Sequence, residues 1–219
     1  MNLKDLECIE SGGNIIVAGS GASVKEYKEQ ILEYKEKNNA KIIGINYMTF
    51  LCSPDYHLWT NKQRYRDLGD CIDSESTLLF GYGMPEELIR KHYDDDYYTV
   101  DYVDDKKLPY KYEDGVMYGG FRTAGSLAIM IADIMDVKEI HIVGMDGYTL
   151  YDRESIEKGD KSHHCYGRGY TDDASWEKCK KKDKKVYNTL RKLSKIGIKF
   201  DILTPTKFED FYNPDILGG

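Results

Sequence analysis

The chain has 219 residues, 41% hydrophobic and 32% charged, with a net charge of −7 at neutral pH. That length suits one large domain with its own core, and the apolar and charged fractions exclude a disordered or membrane-spanning chain. The acid excess disfavours a nucleic-acid or anionic-membrane surface and leaves room only for a local basic pocket.

Apolar runs such as residues 127–132 are far too short to cross a bilayer, and the opening Met1-Asn2-Leu3-Lys4-Asp5 carries no secretory pattern. A cytoplasmic location is therefore expected, and a homo-oligomer is compatible with the sequence. Five cysteines (Cys8, Cys52, Cys71, Cys165, Cys179), odd in number and without a Cys-x-x-Cys pair, predict reduced thiols rather than a disulfide framework or zinc site. Nineteen tyrosines beside six phenylalanines bias the aromatic surface toward groups that also hydrogen-bond polar ligands.

Asn14–Ala18 is a short β-branched run that predicts a strand, followed at once by the turn Gly19-Ser20-Gly21-Ala22-Ser23. Val24, Tyr27, Ile31 and Tyr34 then recur at helical spacing, with one face toward a sheet. Ser23 and Glu26 match a capping box, a wholly structural use of that serine. Strands are predicted at Lys41–Ile45 and residues 55–59, ending at Asn46 and at Thr60-Asn61. Two more fall at residues 77–80 and 97–102, either side of a helix at residues 86–91 after Pro85. The acids at 94–96 and 104–105 sit beside turn-forming sequence and read as solvated loop tips.

Residues 123–135 are apolar nearly all round, with small Ala124, Gly125, Ser126 and Ala128 at the start, which predicts a closely packed helix. Glu139–Val143 is a buried strand. The 28 residues 144–171 then show no period, where compact domains use about 2–6 residues between elements; such a loop is functional or disordered. Residues 172–196 predict a long helix with Trp176, Cys179, Val186, Leu190 and Leu193 on one stripe, interrupted at Asp183. Its lysines at 178, 180, 181, 182, 184 and 185 form a solvated face, and residues 200–203 add a final strand.

This alternation predicts a mostly parallel sheet covered on both faces: a single Rossmann-like, doubly wound domain over residues 1–219, with 144–171 as a lid-like loop. Ligands in such sheets bind beyond the carboxyl ends of the strands. That edge collects Gly19, Ser20, Gly21, Ser23, Asn46, Asn61 and the loop after Val143. Glycines at 19 and 21 allow close approach of a ligand, and the amides opening the helix at Val24 favour an anion such as phosphate. Val24 replaces the third glycine of the dinucleotide fingerprint, and no Gly-Lys-Ser/Thr ending is present, so nicotinamide and P-loop readings lose weight. A tight turn and a capped helix account for Gly21 and Ser23 equally well. Asn46 and Asn61 suit base edges, ribose or phosphate, or else form Asx turns.

The loop holds Tyr148, Tyr151, His163, His164, Tyr166, Arg168 and Tyr170, a density of polar aromatics that suits closure over a ligand. A histidine there can take a proton from a hydroxyl at neutral pH; the plainer reading is an exposed loop residue. Adjacent histidines on extended chain diverge, so no metal site is predicted, and Cys165 could be a nucleophile only beside a base.

The ordered set Gly19-Ser20-Gly21-Ala22-Ser23, Asn46, Asn61, Thr123-Ala124-Gly125, residues 138–148 (KEIHIVGMDGY) and Ser162-His163 resembles the small bacterial sialyltransferases. The resemblance runs from about residue 14 to 205 and is weakest between Gly69 and Val116. It implies a Rossmann-like domain that uses a CMP-activated sugar as donor substrate, without cofactor or metal, and a glycan acceptor. By position it makes His163 the general base and Tyr148 and Tyr151 the phosphate ligands. It gives Asn46 and Asn61 contacts to nucleotide and phosphate, and Thr123, Ala124 and Gly125 contacts to the sugar. The chain departs from the family's Asn-Gly-Pro-Ser at Ser20-Gly21-Ala22-Ser23, and has Ala124 in place of a serine. The basic, membrane-associating tail of some members has no counterpart in residues 207–219. The glycine turn and residues 123–146 also resemble archaeal-type hydroxymethylpterin pyrophosphokinases. Two alternatives therefore stand beside the transferase: a Mg²⁺-dependent pyrophosphokinase-like nucleotide enzyme that uses Asp146, and a noncatalytic nucleotide- or sugar-binding domain accompanying polysaccharide enzymes.

Overall fold

Nine strands join in one sheet in the computed structural model, which describes residues 1–49, 51–167 and 174–218. They are β1 (Asn14–Ala18), β2 (Lys41–Ile45), β3 (Tyr56–Trp59), β4 (Thr77–Gly81), β5 (Tyr98–Asp104), β6 (Lys111–Glu113), β7 (Val116–Gly119), β8 (Glu139–Val143) and β9 (Asp201–Ile202). The helices are α1 (Ser23–Glu26), α2 (Lys28–Lys37), α3 (Lys62–Leu68), α4 (Glu86–Ile89), α5 (Ala124–Ile134), α6 (Arg153–Lys158) and α7 (Trp176–Lys195). Across the sheet the order is β6-β7-β5-β4-β3-β2-β1-β8-β9, and every neighbouring pair is parallel except β6 with β7. The doubly wound, mostly parallel architecture expected from the alternation of elements is present.

The near-continuous apolar strands follow from burial on both faces. Ile15, Val17, Ile43, Ile45, Leu58 and Ile142 join one core with Leu127 and Ile131 of α5 and Leu190 of α7. The alternate residues Ile16, Ala18, Ile42 and Val143 pack on the other side against Val24 and Ile31. A third cluster beneath α3 and α4 holds Trp59, Tyr65, Phe80 and Leu88. Each fully buried aliphatic side chain here contributes about 1.5–3 kcal/mol. Strands β2 to β5 extend from one side of β1, and β8 and β9 from the other, so the order reverses between β1 and β8. Ligands in open α/β sheets bind in the crevice at such a point.

Several details differ from the sequence expectations. The amphipathic stretch after Ser23 is two helices, because Tyr27 leaves helical geometry at φ −105°, ψ 15°. The loop at 144–171 contains a helix: Asp152 caps α6 by accepting from the Ser155 amide, and Gly159 ends it at φ +81°. The long helix begins at Trp176, and its expected start at Asp172 lies outside the described residues, as do Arg168 and Tyr170 of the loop. The β6–β7 hairpin was not expected, although Asp114-Gly115 between the strands, both at positive φ, is a strong two-residue hairpin signal. No described helix is long and apolar enough to cross a membrane.

Candidate functional site

A cleft of about 360 Å³ opens at the reversal between β1 and β8. Its floor is two turns in contact. The Gly19 amide donates to the Val143 carbonyl at 2.8 Å, and the Gly21 amide donates to the Gly144 carbonyl at 2.9 Å. A Cβ on Gly19 or on Gly21 would lie 2.6 Å from the Gly144 carbonyl oxygen, so the close approach of the two turns excludes side chains there.

Ser23 forms no capping box with Glu26. It is the first residue of α1, wholly buried, with Ala22 as a cap that makes no side-chain bond, while Glu26 pairs with Lys161 at 2.8 Å. The cap comes from across the sheet instead. Asp146 accepts from the Ser23 amide at 2.8 Å and from its hydroxyl at 2.5 Å, and Thr204 lies 2.9 Å from the same hydroxyl. The Ser23 amide that opens α1 thus already faces a carboxylate.

Asp146 is 3% exposed, and burial raises its pKa to about 6, outweighing the opposing hydrogen bonds from Ser23. A carboxyl whose native pKa exceeds its unfolded value near 3.9 stabilises the fold fully below that value, and the contribution is lost as pH rises through about 6. The stability difference between wild type and Asp146→Asn, measured by urea unfolding, should therefore move by about 2 kcal/mol against the wild type from pH 4.5 to pH 7. A pH-independent difference would remove Asp146 as a titrating group.

Five further sequence-predicted residues line the cleft, and the structure separates their roles. Asn46 follows β2 at φ +54°, is 7% exposed, and its Oδ1 is buried with no hydrogen-bond partner among the described residues. Its backbone carbonyl is held by Nε2 of His57, whose pKa burial lowers to about 4, so that ring is neutral. Asn46 thus lines the cleft while its Oδ1 is a buried acceptor without a partner among the described residues. Asn61 caps α3, its Oδ1 accepting from the Arg64 amide at 3.0 Å, so the plain capping role is realised. Thr123 caps α5 in a box with Ser126, and Ala124 and Gly125 bring the first turn of α5 to the cleft wall.

Two guanidinium groups complete the wall and were not singled out in the sequence: Arg64 on the first turn of α3, and Arg122 just before the Thr123 cap. The signal for Arg64 was available, since Asn61 followed by Lys62-Gln63-Arg64 is a helix start that turns the third residue back toward the capping asparagine. For Arg122 no local pattern distinguishes it. Among the described residues lining the cleft, Asp146 is the one carboxylate, so the surface left to a ligand is cationic.

The loop after β8 is anchored from behind. Asp183, the polar break in the apolar stripe of α7, is 7% exposed and accepts from the Tyr148 amide and from the Thr149 hydroxyl, both at 2.7 Å. Tyr148 lines the cleft; burial raises its phenol pKa, partly offset by Arg64, so it remains a protonated donor at neutral pH. Lys182 lies 4.7 Å from the centre of the Tyr148 ring. His163 stands edge-on to the same ring at 5.9 Å and is only 8% exposed, against the exposed loop residue that was its plainer reading.

Residues 162–167 dock directly on the glycine turn, the Cys165 amide donating to the Ser20 carbonyl at 3.0 Å. Ser162 closes this short segment by donating to the Gly167 carbonyl and accepting from the His164 amide. His164 stacks on Tyr166 at 4.9 Å and also lines the cleft. The Cys165 side chain packs into the core against Ile16 and Val143, and burial raises its thiol to about 11, which suits an anchor and not a nucleophile. Tyr151, paired with Tyr148 in the expectation, does not line the cleft; its ring lies under the Lys161 ammonium, 5.0 Å away.

Among the described residues no group of three or more His, Cys, Asp or Glu is arranged to hold a metal ion. Comparison with protein-family models gives no match, and comparison with curated proteins gives none either.

Proposed function

We propose that this chain is a cytoplasmic glycosyltransferase that takes its sugar from a CMP-activated donor, with His163 as general base and without a metal in the reaction. The observation that carries the reading is the docking of residues 162–167 on the glycine turn, which brings His163 beside Tyr148 in the same cleft as Gly21, Asn46 and Arg64. The acceptor hydroxyl gives its proton to the His163 imidazole as its oxygen bonds to the anomeric carbon. The bond from that carbon to the phosphate oxygen breaks, its electron pair leaves with CMP, and the centre inverts. Charge gathering on the departing phosphate is met by the guanidinium groups of Arg64 and Arg122 and by the Tyr148 phenol. Asn46, which lines the cleft, contacts the donor nucleotide in this reading.

Asp146, on which a Mg²⁺-dependent pyrophosphokinase reading rests, has both oxygens on Ser23, and that engagement favours the transferase. At about 100 times its dissociation constant, CMP without divalent metal should stabilise the protein by about 2.7 kcal/mol. For a chain of this size that corresponds to a rise in Tm of about 5–10 °C. A melting curve unmoved by CMP but shifted by ATP with Mg²⁺ overturns the proposal in favour of the kinase reading. Stabilisation by CMP with no turnover of any CMP-sugar points to the noncatalytic domain instead.

A further inference from the structure

A second cavity, of about 280 Å³, is walled by Arg153, Ile156 and Glu157 of α6 and by Trp176 and Cys179 of α7. His163 is the one described residue that lines both this cavity and the cleft. In a base-assisted transfer the acceptor hydroxyl must reach both the base and the anomeric carbon of the donor, and a base shared by two cavities stands where an acceptor in one meets a donor in the other.

The two cavities differ in chemistry. The cleft offers cations without a free carboxylate and so suits an anion. In the second cavity Arg153 is matched by Glu157, with Nε and Oε1 2.6 Å apart, so the described wall carries no net charge. That pair sets guanidinium donors beside carboxylate acceptors, and Trp176 adds a flat, half-buried apolar face. Donors and acceptors next to an aromatic plane complement a neutral sugar, whose hydroxyls do both and whose ring presents a C–H face. The volume falls just under the usual range for small-molecule pockets, about 300–1,000 Å³, which leaves room for a single ring and not an oligosaccharide.

We infer that this cavity is the acceptor subsite and takes one neutral pyranose, stacked on Trp176 and hydrogen-bonded to Arg153 and Glu157, with a hydroxyl presented to His163. Its role as acceptor site rests on the transferase reading above; its capacity to bind a neutral sugar does not. The test is saturation-transfer NMR on the full chain with millimolar methyl glycosides of galactose, glucose and N-acetylglucosamine, and glucuronate as the charged counterpart, with and without CMP. At least one neutral glycoside should bind, with affinity about tenfold weaker in Trp176→Ala and severalfold weaker in Glu157→Gln. Glu157 is exposed, so its variant tests the cavity even if the tryptophan variant fails to fold. The inference is overturned if no neutral glycoside binds in either condition, if both variants bind as wild type does, or if glucuronate is preferred. A protein that CMP does not stabilise but whose sugar binding depends on Trp176 loses the transferase reading and keeps this subsite. One stabilised by CMP but with sugar binding indifferent to both variants loses the subsite alone.

Discussion

Replacing His163 by alanine should lower sugar transfer by about 10²-fold or more while leaving the CMP-induced rise in Tm nearly intact. A positioned general base contributes about 10²–10⁴ in rate, and that contribution disappears with the imidazole. CMP binding should survive because the bonds that dock the loop are not made by the side chain: the Cys165 amide still reaches Ser20, and Ser162 still closes the segment onto Gly167. Arg64, Arg122 and Asn46, which face the nucleotide in this reading, lie on other elements and are untouched. Rate and binding should therefore separate cleanly, transfer being measured on donor at saturation and binding by melting. Undiminished transfer by the alanine variant would remove His163 from the chemistry, and a lost CMP shift would make its role one of loop placement.

The largest effect on stability is expected at Gly144. Its φ is +67°, and a Cβ there would fall inside contact distance of both the Gly19 carbonyl oxygen and Cγ2 of Val24. Alanine at this position adds the cost of left-handed backbone, about 1–2 kcal/mol, to an overpacking cost of about 1–3 kcal/mol against a rigid turn. Gly144→Ala should then destabilise by about 2–5 kcal/mol in urea unfolding, a large part of the 5–15 kcal/mol typical of a domain. Gly159→Ala is the matched control: it has a similar φ of +81° but nothing within 4 Å of the added carbon, so it should lose only about 1–2 kcal/mol. If the two variants lose the same amount, the β1 and β8 turns are not in the tight contact described, and the cleft floor is looser than drawn. If Gly144→Ala is much the worse, what remains folded should also bind CMP less tightly, since the wall around Gly21 has been pushed open.

Much of the fold was legible because strands and helices announce themselves locally. Asn14–Ala18, Lys41–Ile45 and Glu139–Val143 are apolar runs bounded by polar or turn-forming residues, and each is a strand over the residues expected. The elements that escaped notice are short or polar. Helix α6 has no buried residue and hence no apolar period to read, and α3 buries only Tyr65. The cleft edge was legible at Gly19–Gly21, Asn46 and Asn61 because the doubly wound topology itself assigns strand ends to one side, whereas Thr123–Gly125 were indicated only by the family resemblance.

Roles within that edge were harder to read. Ser23 and Glu26 carry the capping-box pattern, yet the bond goes to Asp146, 123 residues away, because the packed β1 and β8 ends leave a buried carboxylate beside the first amide of α1. Asp183 was visible as a flaw in an apolar stripe, but its use in holding Tyr148 and Thr149 depends on where the loop after β8 lies. Tyr148 and Tyr151 are alike in sequence, and only the course of the chain between Gly147 and α6 puts one in the cleft and the other outside it.

By itself, then, the sequence determined the alternation of elements, their parallel winding and the edge where a ligand would sit, since all three follow from hydrophobic period and chain direction. The tertiary structure alone decided which polar groups face that ligand and which are spent on one another. A buried donor or acceptor is satisfied by whichever group packing brings within about 3 Å, and that neighbour can lie anywhere along the chain.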